Sequence, residues 1–174
     1  MNTPYKILAI DSNHECLNNG LREVGFIVDE DYTSPKEIIE QKINEYDGMI
    51  VRSRFPIDKD FLAKATNLKF IGRVGAGLEN IDEEFAAENN IVLFNSPEGN
   101  RDSVGEHAIG MLLMLMHHLR RADNEVRNGI WKREENRGDE LKGKTVGIIG
   151  YGNMGNAFAR RLQGFEVNVI CYDI

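Results

Sequence analysis

The sequence predicts an α/β fold in which a doubly wound parallel sheet is followed by a second, partial sheet unit. Two observations support this prediction. Five short apolar runs alternate with helical patterns over residues 6–94, an arrangement typical of parallel sheets covered by helices. Residues 144–173 then read as strand, glycine-rich turn, amphipathic helix and strand, which together make one βαβ unit.

The first region is predicted to alternate strands and helices throughout. Its strands are predicted at residues 6–11, 26–28, 48–51, 70–73 and 91–94. A helix is predicted over Asn13–Val24, and Gly25 is expected to end it. Later helices are predicted to begin near residues 34 and 56 and at Asp82, which caps the last of them. We therefore expect a flavodoxin-like, doubly wound parallel sheet over residues 1–97.

A second domain is predicted after a break rich in loop formers at residues 95–100, so we place a domain boundary near Pro97. One long helical pattern runs from Ser103 to about Arg127. A charged segment at 132–140 then leads to an apolar strand predicted at 146–149, and a second strand is predicted at 167–171. Residues 98–174 are expected to hold the start of a Rossmann nucleotide-binding domain.

The Rossmann prediction depends on residues 150–155, which have the pattern G-x-G-x-x-G. In such a turn Gly150 allows a sharp bend and Gly152 lets the backbone approach a pyrophosphate. Gly155 lets the helix pack closely on the strand. Free N–H groups at the helix start would bind the phosphate charge.

Asp173 follows the second strand near the spacing expected of the acid that binds an adenosine ribose. Its carboxylate can accept hydrogen bonds from both ribose hydroxyls, whereas a 2′-phosphate would meet a like charge. The pattern therefore predicts NAD rather than NADP as the cofactor. The alternative is a structural βαβ turn that binds no ligand.

Composition and charge narrow the classes of function. The 174 residues carry a net charge of −7 at pH 7 that is spread along the chain, which argues against a nucleic-acid partner. Cys16 and Cys171 form no C-x-x-C pair, so no metal site is predicted. The start lacks the features of a signal peptide, and the longest apolar run, Ile109–Met116, is too short to cross a bilayer. We expect a cytoplasmic protein without a membrane partner.

Two predicted loops at the carboxyl ends of strands could bind an anion. Arg52-Ser53-Arg54 follows the third strand, and arginine binds carboxylate or phosphate through a bidentate fork. The alternative is a pair of solvated surface arginines. After the fourth strand, Gly72, Gly75 and Gly77 either free the backbone to offer N–H groups to an anion or only form tight turns.

Four stretches of the sequence resemble the D-isomer-specific 2-hydroxyacid dehydrogenases. They are residues 72–82 (GRVGAGLENID), 95–100 (NSPEGN), 103–108 (SVGEHA) and 141–155 (LKGKTVGIIGYGNMG), in the order of that family. The Arg52-Ser53-Arg54 loop most resembles the members that act on 3-phosphoglycerate. The resemblance implies a substrate domain over residues 1–97, lacking its C-terminal return, and a partial NAD-binding domain over residues 98–174.

The resemblance also implies roles for individual residues. The loop that matches Ala76-Gly77 offers backbone N–H groups to the carboxylate of a small anionic 2-hydroxy or 2-oxo acid. Arg54 or Arg52 would reach the far end of that substrate, where a phosphate would be well matched. The implied substrate-binding residues are Arg52, Ser53, Arg54, Ala76, Gly77 and Asn80. The implied cofactor-binding residues are Asn100 and Ser103 on the nicotinamide side, with Gly150, Gly152, Asn153, Met154, Gly155 and Asp173.

The long helix after Ser103, with the segment around Trp131, resembles the part through which members of the family form homodimers. Its apolar stripe fits an ordinary core helix equally well. A lone βαβ unit is also expected to leave one sheet face and one strand edge uncovered.

The resemblance places the catalytic arginine, carboxylate and histidine of the family beyond the position of Ile174, so we expect no catalytic residue in this chain. His107 follows Glu106 on a predicted helix, but adjacent helical residues do not face each other, which argues against a catalytic pair. The remaining histidines, His14, His117 and His118, are interpreted as surface or helix residues.

The combined expectation is the N-terminal part of an NAD-dependent oxidoreductase that acts on the CH–OH group of a D-2-hydroxy acid, without turnover by this chain alone. Two alternatives remain open. One is a non-enzymatic module that senses NAD or binds a partner, and the other is a fragment that binds nothing.

Overall fold

A computed structural model describes residues 4–174, which divide into two compact units; the first ends at Pro97 and the second begins at Glu98. The start that was compared with a signal peptide includes Met1–Thr3, which lie outside the described residues. Over residues 4–174, no helix is both long enough and apolar enough to cross a membrane.

The first unit is a parallel sheet with helices between its strands. Its strands are β1 (Lys6–Ala9), β2 (Ile27–Glu30), β3 (Gly48–Val51), β4 (Phe70–Arg73) and β5 (Val92–Phe94). Its helices are α1 (Glu15–Glu23), α2 (Lys36–Lys42), α3 (Lys59–Leu62) and α4 (Glu83–Glu88). The strand order is β2-β1-β3-β4-β5 and every pairing is parallel. This is the flavodoxin-like order, and the predicted fold class is confirmed.

The inner strands β1 and β3 are buried on both faces, which is why they read as continuous apolar runs rather than alternating ones. Successive side chains point to opposite faces. Ile7 and Ala9 therefore join one core cluster, while Leu8 and Ile10 join the other. The larger cluster also contains Phe61 of α3, which is fully buried.

The predicted β2 at residues 26–28 begins and ends too early, because the chain is still leaving α1 when it reaches Phe26. The N–H of Phe26 donates to the carbonyl of Leu21, and Gly25 has the positive φ of 95° that closes the helix end. The pairing with β1 then starts at Ile27. At α4 the expected cap is confirmed, since the Asp82 carboxylate accepts from the N–H of Phe85 at 3.0 Å.

The second unit contains α5 (Glu98–Met116), α6 (Leu119–Arg127), β6 (Thr145–Ile149), α7 (Asn153–Leu162) and β7 (Asn168–Tyr172). The prediction of one long helix from Ser103 to about Arg127 is wrong in two respects. The helix starts at Glu98, inside the predicted loop, and it breaks at His118, whose φ is +54°.

The break in the helix has a tertiary cause. The carbonyl of Met116 accepts from the N–H of Asp139 at 3.0 Å, so a distant segment satisfies the end of α5. Gly138 packs so closely against the end of α5 that a Cβ on it would be 2.6 Å from the Cα of His117. The apolar spacing of the sequence continues through His118, so it does not predict a break that depends on this distant contact.

In the second unit, α5 and α7 pack on one face of the parallel pair β6–β7. Ile148 and Leu162 are buried in this packing. On the other face of the strand pair, Ile149 is 91% exposed, and Ile170 and Tyr172 are also exposed. Over the described residues the strand pair therefore presents an open apolar face, as expected for a lone βαβ unit.

Candidate substrate and nucleotide sites

The two predicted anion-binding loops of the first unit leave adjacent strands at the same edge of the sheet. β3 and β4 pair with Val51 opposite Arg73. Arg52 therefore begins one loop directly beside the other, at the carboxyl edge where ligands bind in open α/β sheets.

The backbone of the Arg52-Ser53-Arg54 loop is held by one carboxylate from β1's end. Oδ2 of Asp11 accepts from the N–H of Arg52 at 2.6 Å, of Ser53 at 3.2 Å and of Arg54 at 3.4 Å. Nothing in the sequence pattern singled out Asp11, although its position two residues after a buried strand, at the ligand edge, is a usable signal.

Arg54 and Arg52, either of which the resemblance allowed at the far end of the substrate, have different environments. The Arg54 guanidinium donates to the carbonyls of Ile10 at 2.8 Å and Asp31 at 2.7 Å, and also to that of Ser34. Arg54 therefore ties together the loops that follow β1 and β2. The Arg52 side chain is exposed, so of the two it is the one whose guanidinium is available to a ligand.

The Asp31 segment that Arg54 binds is itself ordered by charge. The Lys42 ammonium beside it, together with the backbone N–H of Ser34, holds the pKa of the Asp31 carboxyl far below its usual range. The carboxylate is therefore ionised at neutral pH, and it helps to fix the carbonyls that receive the Arg54 guanidinium.

Asn80 lies at the same edge and contacts the Arg52 loop. Its Nδ2 donates to the carbonyl of Arg52 at 3.3 Å. Its Oδ1 is buried and, among residues 4–174, has no hydrogen-bond partner. The structure thus brings Arg52, Ser53 and Asn80 together at this edge of the sheet.

The loop after β4 is anchored through its carbonyls and leaves N–H groups open. The carbonyl of Gly75 accepts from the N–H of Ser96 at 2.8 Å, and that of Ala76 accepts from Nδ2 of Asn95 at 2.6 Å. Within the part of the chain described, the N–H groups of Ala76 and Gly77 have no acceptor. This geometry fits the expectation that they bind an anion.

Two charged side chains that the sequence reasoning missed lie against this loop. A Cβ at Gly75 would be 1.5 Å from Nη1 of Arg73, and a Cβ at Gly77 would be 1.8 Å from Oε2 of Glu79. Nη2 of Arg73 lies 3.8 Å from Oε1 of Glu79. Arg73 is the last residue of β4 at the ligand edge, which is the signal that could have identified it.

The glycine turn of the second unit has the geometry that its pattern predicts. Gly150 has a φ of +87°, and a Cβ at Gly155 would be 1.9 Å from the Gly150 carbonyl oxygen. A Cβ at Gly152 would meet nothing within 4 Å. Gly152 precedes α7 and has no side chain, so no side-chain cap covers the N–H groups that follow at Asn153 and Met154, which lie at the positive end of the helix dipole.

Asp173 lies beside this turn. Its Oδ2 accepts from the N–H of Tyr151 at 2.8 Å and its Oδ1 from the N–H of Ile174 at 3.0 Å. The Gly150 N–H donates to the Tyr172 carbonyl at 2.8 Å, which holds the turn against the end of β7. The predicted ribose acid and the predicted phosphate turn are therefore neighbours.

Asn100 and Ser103 lie exposed in the first turns of α5. A cavity of ≈ 420 Å³ separates the start of this helix from the glycine turn. It is lined by Arg101, Asn153 and Arg160 among others, and not by Asn100 or Ser103. The two arginines are basic groups at a predicted phosphate site that the pattern did not reveal.

Glu106 and His107 do not form a pair. The Glu106 carboxylate lies 3.5 Å from Nη2 of Arg161, and His107 is exposed. Arg161 also binds Asp102 at 3.0 Å, so these acids of α5 hold α7 in place.

Comparison with known proteins identifies the family. The family model for the D-isomer specific 2-hydroxyacid dehydrogenase catalytic domain matches residues 7–167. This chain belongs to that family. It is 36% identical over 168 residues to D-3-phosphoglycerate dehydrogenase of Archaeoglobus fulgidus, and 38% identical over 168 residues to that of Methanocaldococcus jannaschii. Each match covers 97% of this chain but 32% of the relative, so the chain spans about a third of the length of these curated relatives.

Solved structures of other proteins share the fold of this chain. A Pyrococcus horikoshii OT3 protein superposes with a TM-score of 0.84 and 29% identity, covering 98% of this chain and 53% of that one. The NAD-dependent formate dehydrogenase of Staphylococcus aureus, solved with NAD, matches with a TM-score of 0.76 and 28% identity, over 97% of this chain and 56% of the other.

Proposed function

We propose that this chain is the substrate- and nucleotide-binding part of an NAD-dependent oxidoreductase that acts on the CH–OH group of a D-2-hydroxy acid related to 3-phosphoglycerate. The observation that carries the proposal is the contact of Asp173 with the uncapped glycine turn. That pairing supports binding of a dinucleotide by one turn and one acid.

The second unit is proposed as the NAD-binding domain, with Gly150, Gly152, Asn153, Met154 and Gly155 at the pyrophosphate. Asp173 would accept hydrogen bonds from the ribose hydroxyls, and its charge would disfavour NADP. Bound NAD supplies the acceptor for hydride. Asn100 and Ser103 are proposed on the nicotinamide side.

The first unit is proposed as the substrate domain. The free N–H groups of Ala76 and Gly77 would hold the substrate carboxylate. The exposed Arg52 would bind a phosphate at the far end, because a guanidinium offers two parallel donors to phosphate oxygens. The names of the curated relatives support 3-phosphoglycerate as the model substrate.

The proton-transfer residues of the reaction are proposed to lie outside this chain, which would then bind ligands without turnover. We also propose a cytoplasmic homodimer formed through α5 and the segment that follows it. Met111, Leu115 and Trp131 support that surface, since all three are exposed apolar side chains.

Titration calorimetry of the 174-residue chain with NAD⁺ and NADP⁺ tests the nucleotide half of the proposal. We expect NAD⁺ to bind more tightly, and Asp173→Asn to reduce that preference by about tenfold, the worth of one charge-assisted hydrogen bond. Asp139→Asn is the control, because Asp139 is an exposed acid in the same unit. Equal affinity for the two nucleotides in the unsubstituted chain, or binding of neither, would contradict the proposal.

A further inference from the structure

Asp11 anchors the Arg52-Ser53-Arg54 loop at the carboxyl edge of the first sheet. One oxygen of its carboxylate accepts from three successive backbone N–H groups, those of Arg52, Ser53 and Arg54. Three convergent N–H donors form an anion-binding nest, and here the anion is a side chain of the protein itself. Hydrogen bonds to an ionised acceptor are roughly twice as strong as neutral ones.

The Arg52-Ser53-Arg54 loop also donates hydrogen bonds back to the segment that contains Asp11. The Arg54 guanidinium donates back to the carbonyl of Ile10, the residue before Asp11, at 2.8 Å. Asn80 holds the carbonyl of Arg52 at 3.3 Å. The backbone of Arg52 is therefore fixed at its N–H by Asp11 and at its carbonyl by Asn80, while its side chain is exposed.

A fixed backbone under a free guanidinium has a direct effect on ligand binding. The loop is already ordered before an anion binds. The favourable free energy of binding is therefore not reduced by an entropy cost of ordering the loop. A loop without its anchor would move the guanidinium among several positions, and small displacements at a binding group are costly.

We propose that Asp11 is a positioning residue, whose carboxylate holds the loop in the conformation that presents Arg52 to the distal phosphate of the substrate. This inference rests on the proposed function. It assigns to Asp11 no contact with the substrate, and an effect only through Arg52.

Asp47 provides a matched control for a purely structural role. Its carboxylate also joins chain segments distant in sequence, since it accepts from the Lys6 N–H at 2.9 Å and from the Lys69 ammonium at 2.8 Å. It lies just before β3, at the amino edge of the same sheet, away from Arg52. Asp11→Asn and Asp47→Asn thus make the same chemical change at opposite edges.

The test measures the ratio of affinities for 3-phosphoglycerate and D-glycerate, which differ by the phosphate, using calorimetry or amide NMR shifts of the full chain. We expect the unsubstituted chain to prefer 3-phosphoglycerate, and Asp11→Asn to lower this ratio by about tenfold. Asp47→Asn is expected to leave the ratio within about twofold, even where it lowers stability.

The outcomes separate this inference from the proposed function. If the unsubstituted chain shows no preference for the phosphorylated acid, the proposed substrate site is wrong and the inference fails with it. If the preference is present and Asp11→Asn retains it, the inference alone is overturned.

A measurement on the unsubstituted chain covers the case in which Asp11→Asn does not fold. Hydrogen exchange reports whether the N–H groups of Arg52 and Ser53 are held, because an exposed loop amide without an acceptor exchanges at nearly the unprotected rate. We expect both to be protected. Exchange at the unprotected rate would overturn the inference.

Discussion

The glycine-rich loop after β4 and the glycine turn before α7 look alike in sequence but use glycine differently. In the first, the space of missing side chains is filled by the protein's own charged groups, with Arg73 against Gly75 and Glu79 against Gly77. In the second, it is filled by backbone at Gly155 and left open at Gly152. The first loop can therefore adjust to an anion by moving side chains, whereas the second is a rigid turn set before any ligand arrives.

We expect the largest effect from a substitution that disrupts the rigid turn before α7. Gly155→Ala would place a methyl group 1.9 Å from the Gly150 carbonyl oxygen, which is backbone and cannot yield cheaply. We expect a loss of about 1–3 kcal/mol in the free energy of unfolding, together with loss of NAD⁺ binding. Urea denaturation and calorimetry measure the two effects.

The matched change in the flexible loop is Gly77→Ala, where the atom in the way is the end of the Glu79 side chain. That carboxylate can rotate aside, so we expect a change in the free energy of unfolding within about 0.5 kcal/mol. Equal losses from the two substitutions would show that the distinction between the loops is wrong.

The next largest effect concerns the two arginines of the Arg52-Ser53-Arg54 loop. Arg54→Ala removes the donor shared by three backbone carbonyls. We expect it to lower the free energy of unfolding by about 1–2 kcal/mol. The loss stays this small because water can reach part of the site and solvate the freed carbonyls. Arg52→Ala is expected to leave stability unchanged within about 0.5 kcal/mol and to weaken 3-phosphoglycerate binding. Thermal denaturation measures the stability of the two variants, and calorimetry measures their binding of 3-phosphoglycerate. Similar stabilities would refute the assignment of Arg54 to the structure and Arg52 to the ligand.

We expect the smallest effect from a change of charge in the loop after β4. Glu79 places a negative charge beside the N–H groups proposed to hold the substrate carboxylate. Glu79→Gln removes that like charge, and we expect the affinity for 3-phosphoglycerate to rise by about two- to fivefold, more at low salt. Glu88→Gln, an exposed acid on α4, is the control for net charge. An affinity that is unchanged or lower in Glu79→Gln would exclude competition by this carboxylate.

Much of the fold could be predicted because the inner strands β1 and β3 are buried on both faces and read as apolar runs. The bounds predicted for β3 and β4 agree with the structure to the residue, and the cap at Asp82 is a local interaction. The break at His118 was missed because its cause, the Asp139 N–H on the Met116 carbonyl, is distant in sequence.

The site was predictable as a set of positions but not as a set of partners. The strand ends placed the anion loops, since parallel strands share one ligand edge. Which arginine is free could not be read from the sequence, because the answer depends on the carbonyls of Ile10, Asp31 and Ser34. Local spacing carries no information about those contacts, and the roles of Arg52 and the nucleotide residues stay predictions.

The open face of the β6–β7 pair has a consequence for how the protein behaves as a colloid. At pH 7 the net charge of −7 keeps neighbouring molecules apart. Near the isoelectric point of ≈ 5.2 that repulsion disappears, while the exposed Ile149, Ile170 and Tyr172 remain attractive to one another. Acidification toward pH 5 should therefore bring turbidity and precipitation while the chain is still folded.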